Sequence, residues 1–414
     1  MTKFQVFTAL TTLTALMAFA NQLLFRLRGS LGMAVAGAGI SLAAFAVGRI
    51  WPAVTNHTAA LFAGIDYSNT VFHGMLCFLL FAGAMHIDLR AIYRWKITVA
   101  LLATVGVFLS TVIVAFAALL FCKLAGLDIP IPWLLVFGAL ISPTDPVAVL
   151  GLLRELKAPK DLETQIGAES LLNDGTALAL FSVFLAMALQ NHSVTTWGVL
   201  KLFSLQVLGG LTLGVVLGVV GHFLLKLVSD PPTSVVMTLA YALGGYTLGD
   251  SLSMSGALVA AAMGLVVGYG RHSSMDEATR AQLTAFWAMF DELLNMLLYM
   301  MMGMALLALP LSPAYIAFAV SAIACALVGR VISVMLPMSI VARARPLALG
   351  TIQALVWGGV RGGVSLAMAL ALPLTTYKPY LVTGTWAVVM FSVLVQAPTM
   401  GHVLRRYGLI GART

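Results

Sequence analysis

The stretch Glu169-Ser170-Leu171-Leu172-Asn173-Asp174-Gly175 places two carboxylates and a carboxamide inside a long, largely apolar run from Leu162 to Leu189. An ionisable group at membrane depth is expensive, so it marks an ion or proton path. In a low-dielectric site a carboxylate prefers a proton or a cation to bare charge. Competition between those two occupants is itself an exchange mechanism. Ser170 and Asp174 are four apart and share one helix face, and Glu169 and Asn173 form a second stripe beside it. The first stripe can ligate a cation while the second docks onto the protein.

Two further charges belong to this chemistry. Asp145 lies in Ser142-Pro143-Thr144-Asp145-Pro146, where it either bonds amides freed by the prolines or lies on the ion route. Arg361 lies in Gly358-Gly359-Val360-Arg361-Gly362-Gly363 and is too costly to leave unpaired in a bundle core. Glu169 is its expected partner and Asn173 a hydrogen-bonding third member, a structural clamp. Asn173 cannot take up a proton, so this stripe adds no second titrating site beside Asp174.

The elements that position these groups are membrane helices. The chain of 414 residues is 61% hydrophobic and 9% charged, with a mean hydropathy of +1.00. Its apolar runs are continuous, which excludes an outer-membrane barrel and predicts an all-α polytopic membrane protein. About thirteen apolar segments of spanning length follow, at roughly 4–25, 31–50, 68–87, 97–122, 133–153, 163–189, 197–226, 233–250, 254–270, 283–308, 313–336, 347–372 and 380–404. With the N-terminus outside, sixteen Lys and Arg fall at inward-facing ends, among them Arg26, Arg28, Arg90, Arg154, Arg271, Arg345 and Arg413. Five fall outside, and Arg330 and Arg361 remain within segments. That asymmetry predicts a cytoplasmic C-terminus and accounts for the net charge of +8 without nucleic acid. Lys3 ahead of the first apolar run and Arg26 and Arg28 behind it favour an uncleaved first helix.

Segments 5 and 12 are internally broken, one by two prolines and one by four glycines. Six helices, a linking helix and six more make these breaks fifth in each half. The odd offset between equivalents inverts the second half relative to the first. Inverted repeats with ions bound where broken helices meet are the plan of secondary transporters. A channel would line a continuous pore with the same carboxylates. An intramembrane enzyme would need a nucleophile and base, and no such pair is present.

Other polar residues have plainer readings. His86 and Asp88 read as an interfacial cap, or as a pH-sensitive mouth, and Asp291 and Glu292 as an interfacial or inter-helix pair rather than ligands. Met300-Met301-Met302 with Met304, and Cys77, Cys122 and Cys325, read as core packing. Gly210, Gly214 and Gly218 suit close helix contact.

Three motifs in order now carry a resemblance: Ser142-Pro143-Thr144-Asp145-Pro146-Val147, Glu169-Ser170-Leu171-Leu172-Asn173-Asp174-Gly175, and Trp357-Gly358-Gly359-Val360-Arg361-Gly362-Gly363-Val364-Ser365. The chain resembles sodium/proton antiporters of the NhaP and NHE type over essentially its whole length. The resemblance implies electroneutral exchange of one Na+ or Li+ for one proton across the cytoplasmic membrane, with no cofactor. It implies a homodimer in which core helices at about 97–189 and 313–404 move like an elevator against scaffold helices at about 4–87 and 197–308, the broken helices crossing in the core. By motif position, Asp174 would bind ion and proton, Ser170 would ligate Na+ by its side chain and Thr144 by its carbonyl. Asp145 would line the site, and Glu169, Asn173 and Arg361 would form the clamp. Many relatives carry Leu-Phe-Glu-Gly-Ala in segment 3, where this chain has Leu80-Phe81-Ala82-Gly83-Ala84. Ala82 offers no carboxylate, which keeps K+/H+ exchange as the alternative.

Overall fold

The computed structural model describes residues 3–25, 29–50, 69–190, 196–228, 230–309, 312–344 and 348–410. Of the basic residues assigned inward, Arg26, Arg28, Arg345 and Arg413 lie outside the described residues. Every regular element among the described residues is helical. A lipid-facing backbone must satisfy its own polar groups, and uninterrupted apolar helices do so. Among the described residues, six continuous stretches are long and apolar enough to cross a membrane: Leu89–Ala125, Lys160–Leu189, Lys201–Leu225, Glu277–Leu307, Pro313–Arg343 and Lys378–Arg406. Shorter apolar helices include Gly74–Met85, Ile131–Ile141 and Gly256–Gly270.

Segments 5 and 12 each fold as two half-helices. Ile131–Ile141 stops at Ser142, which keeps helical angles, because Pro143 has no N–H to continue the helical hydrogen-bond ladder. The chain re-enters helix at Val147–Glu155, with Pro146 at the N-cap, where its missing N–H costs nothing. In segment 12, Thr351–Trp357 ends at Gly358, and Gly363–Leu370 begins after an extended Gly362. At about 1.5 Å per residue, an eleven-residue half-helix reaches only about halfway across the apolar slab. The backbone of the second break meets that of the first, at Val360 and Asp145.

Packing fixes what surrounds the breaks. The helix Lys160–Gln190 lies against Ile131–Ile141, and the helix Glu277–Met304 lies against Cys77–Met85 and Gly363–Leu370. Met300, Met301, Met302 and Met304 are buried in the main apolar core, and all three cysteines are free and buried. Gly214 and Gly218 press on the backbone of Val259 and Met263, an approach that a Cβ would prevent.

Candidate ion-binding site

The two breaks are joined backbone to backbone: the Asp145 N–H donates to the Val360 carbonyl at 2.7 Å. A helix end leaves unpaired carbonyls at its C-terminus and unpaired N–H groups at its N-terminus, with matching partial charges. Each freed end here meets the opposite charge. Arg361 Nη1 donates to the Ser142 and Pro143 carbonyls, at 2.8 and 3.2 Å, at the end of Ile131–Ile141. Arg330 Nη2 donates to the Leu355 carbonyl at 2.7 Å, near the end of Thr351–Trp357. Asp145 Oδ1 accepts from the Val147 N–H at 2.9 Å, at the start of Val147–Glu155. Gly362, at the start of Gly363–Leu370, packs so closely on the Asp145 carboxylate that a Cβ would overlap it.

The clamp differs from the sequence expectation. Glu169 pairs with Arg330, not Arg361: Nη1 lies 2.5 Å from Oε1, and Nη2 donates to Oε2 at 3.2 Å. Both residues are buried, and the two-pronged geometry is the strong form of such a pair. The guanidinium of Arg361 is committed to the carbonyls its own break lies against. Arg330, on the continuous helix Pro313–Ala344, reaches Glu169 past Gly359, where a Cβ would occupy its path. Asn173 also departs from its expected partner. Its Nδ2 donates to Thr144 Oγ1 at 2.7 Å, and its Oδ1 accepts from the Thr144 N–H at 3.3 Å. The amide thus serves as both donor and acceptor for the first break.

A cavity of about 360 Å³ opens beside the crossing. Thr144, Asp145 and Asp174 line it, with His86, Asp291, Glu292 and Ser365. From the Asp174 helix, Gly167, Leu171 and Asp174 form the wall. Ser170 is not on it. At about 100° per residue, four residues leave Ser170 about 40° round the helix from Asp174, which turns it toward Thr144. Ser170 Oγ and Thr144 Oγ1 are 2.8 Å apart. The Asp174 residue is 9% exposed, and its carboxylate receives no protein hydrogen bond among the described residues.

Asp145 shares this wall but is fully engaged. Its Oδ2 accepts from the Tyr299 hydroxyl at 2.7 Å, while Oδ1 caps Val147. Ala82 does not face the cavity. It is wholly buried, packed with Phe81, Met85, Val259 and Met263, and the wall beside it is Leu79, Leu80 and Gly83. His86 Nδ1–H donates to the Ala82 carbonyl at 2.7 Å, which leaves its other ring nitrogen without a protein partner. Asp88 caps the helix Leu89–Leu101 by accepting from the Arg90 N–H at 2.9 Å. Asp291 and Glu292 line the cavity from the helix Glu277–Met304.

Three contributors were not assigned from sequence: Arg330, Tyr299 and Ser365. Arg330 carried a usable signal, being one of two arginines inside apolar segments. Tyr299 carried only a polar tip in a Met-rich run, and Ser365 only its place after the second break.

A family model described as sodium/hydrogen exchanger, transmembrane, matches residues 9–406. The chain is 36% identical over 404 residues to the Na(+)/H(+) antiporter NhaP of Pseudomonas aeruginosa, spanning 96% of this chain and 95% of that protein. It is 30% identical over 348 residues to the Na(+)/H(+) antiporter NhaH of Halobacillus aidingensis, spanning 83% of this chain and 84% of that one. Among solved structures, the sodium proton antiporter MjNhaP1 from Methanocaldococcus jannaschii at pH 8 superposes with a TM-score of 0.78. The match covers 98% of this chain and 99% of that chain at 18% identity, so it speaks to the fold alone.

Proposed function

Because the chain belongs to the sodium/hydrogen exchanger family, we propose that it exchanges Na+ or Li+ for protons, one for one, with Asp174 carrying either occupant. One observation carries this reading. The Asp174 carboxylate is buried on the cavity wall without a hydrogen-bond partner among the described residues, while Asp145, Glu169, Arg330 and Arg361 are all paired. A bare carboxylate in such a site binds a proton or a cation. Thr144 sits beside it as an oxygen ligand, oriented by Asn173 and Ser170.

In this reading the helices at about 97–189 and 313–404 move as one body against those at about 4–87 and 197–308, like an elevator. The two halves are inverted repeats in a bilayer of about thirteen spans, with the N-terminus outside. The protein works as a homodimer in the cytoplasmic membrane. Sodium is preferred to potassium, since the case for potassium rested on Ala82, which lies off the cavity wall.

The test is exchange in proteoliposomes with Na+, Li+ and K+ in turn, following internal pH with a dye. Asp174→Asn keeps the shape and cannot cycle a proton, so exchange is expected to vanish while the purified variant stays folded. Sodium-driven proton release by that variant would sink the assignment.

A further inference from the structure

A buried hydroxyl on a membrane helix usually donates to the carbonyl one turn back, which spares it an unmade hydrogen bond. Thr111 and Thr176 do this at 2.9 and 3.0 Å. Ser365 has no such recourse. It is the third residue of the helix Gly363–Leu370, and four residues back is Arg361, inside the break. Gly362 between them is extended, with φ −129 and ψ −162, so no helical carbonyl lies beneath the serine. Ser365 is 1% exposed, and its Oγ is buried without a protein partner.

Its position gives that orphan hydroxyl a use. Ser365 lines the same cavity as Thr144 and Asp174. Ser110, Thr383 and Thr385 also have unpaired buried hydroxyls, but none of them lines this cavity. The Thr144 hydroxyl is taken up by Asn173 and Ser170, and Ser170 stands behind the wall. A hard monovalent cation needs several oxygen ligands. Asp174 and Thr144 supply oxygens from segments 6 and 5, and the wall from segment 12 offers Ser365.

We propose that Ser365 Oγ is an oxygen ligand of the cation held at Asp174, contributed by the second broken segment. The proposal rests on the reading of Asp174 above. A proton on Asp174 needs no further ligand, so Ser365 acts on the cation half of the cycle and not on the proton half. It is thus a specificity-determining residue, weighting cation against proton and one cation size against another.

The experiment compares wild type, Ser365→Ala, Ser365→Cys and Asp174→Asn as purified full chains. Sodium binding is measured by titration calorimetry in detergent, and exchange in proteoliposomes. Alanine removes the oxygen with almost no change in shape. Cysteine keeps the shape and offers a soft sulfur that suits a hard cation poorly. Both serine variants are expected to raise the apparent KM and the Kd for Na+ about tenfold. Their maximal rate, and its pH dependence at saturating Na+, should stay at wild-type values. Unchanged sodium affinity in Ser365→Ala would overturn the proposal. So would full affinity in Ser365→Cys, since shape rather than oxygen would then be what matters. Asp174→Asn separates the two ideas. If it loses binding while Ser365→Ala does not, only the Ser365 proposal falls. If it still binds and exchanges sodium, the reading of Asp174 falls instead.

Discussion

Tyr299 donates its hydroxyl to Asp145 Oδ2 across 2.7 Å, although the two residues are 154 apart in the chain. The bond links the helix Glu277–Met304 to the first break. With the Val147 N–H on Oδ1, it leaves neither oxygen of Asp145 idle. Of the two roles open to Asp145 from sequence, bonding freed backbone or lying on the ion route, the first is present, and Asp145 also lines the cavity.

Tyr299→Phe should therefore destabilise the protein, by about 1.5–3 kcal/mol for a hydrogen bond to a charged group. A lowered melting temperature in detergent is the readout. Combined with Asp145→Asn, the loss should be smaller than the two single losses added. Strict additivity would mean that the contact carries no energy.

Glu169 and Arg330 give a second cycle. Removing one side of a buried pair costs about 3–5 kcal/mol, because the other charge is stranded. Arg330→Ala should show that loss in thermal stability, and Glu169→Leu with Arg330→Met should recover part of it. The same cycle between Glu169 and Arg361 should give a clearly smaller coupling, since Arg361 is held by the Ser142 and Pro143 carbonyls. A larger coupling to Arg361 would restore the partner expected from sequence.

Gly362 and Gly83 predict opposite outcomes for the same substitution. A Cβ at 362 would overlap the Asp145 carboxylate, whereas one at 83 meets nothing within 4 Å. Gly362→Ala should cut both folded yield and exchange. Gly83→Ala should keep the melting temperature of the wild type. Equal behaviour of the two would show that the crossing tolerates expansion.

Exchange should not respond to membrane potential. Moving one elementary charge through 100 mV is worth about 2.3 kcal/mol, so any net charge moved per cycle would shift the final sodium gradient. Vesicles clamped at zero and at a strongly negative potential with a lipophilic ion should reach the same gradient. A gradient that shifts with the clamp would mean that a second proton moves, with Asp145 the group to examine.

The sequence was most legible where backbone chemistry is obligatory. Pro143 and Pro146, three apart, remove two helix hydrogen bonds, and glycines crowd one arginine in segment 12, so both breaks could be placed. That they carry the site followed from Asp174, a charge too costly to be idle. Partner choice was less legible. Glu169 had two arginines at depth to choose from, and the motif named Arg361, while the bond goes to Arg330 on an unmarked helix. Ser170 and Asp174 share a face in sequence terms, yet the modest rotation between them separates a residue bonded to Thr144 from one on the cavity wall. Position 82 fell on the buried side of its helix, a question of azimuth that spacing alone did not decide. Asp291 and Glu292, read as an interfacial or inter-helix pair rather than ligands, border the cavity, a placement that nothing in a single helix reveals.

The opposed charges at the crossing have a consequence for leakage. Glu169 cancels Arg330, and Asp145 and Arg361 together add nothing net. At the crossing itself, leaving aside Asp291 and Glu292 on Glu277–Met304, the charge is then set by whatever sits on Asp174. Filled by a proton or by a monovalent cation it is neutral, and either load faces the same modest cost in crossing the apolar slab. Empty, it carries a full negative charge, which that slab resists strongly. On the proposed elevator reading, that charge would hold an unloaded carrier where it is. Slippage, in which one ion runs downhill without its counterpart, would then be suppressed without a dedicated gate.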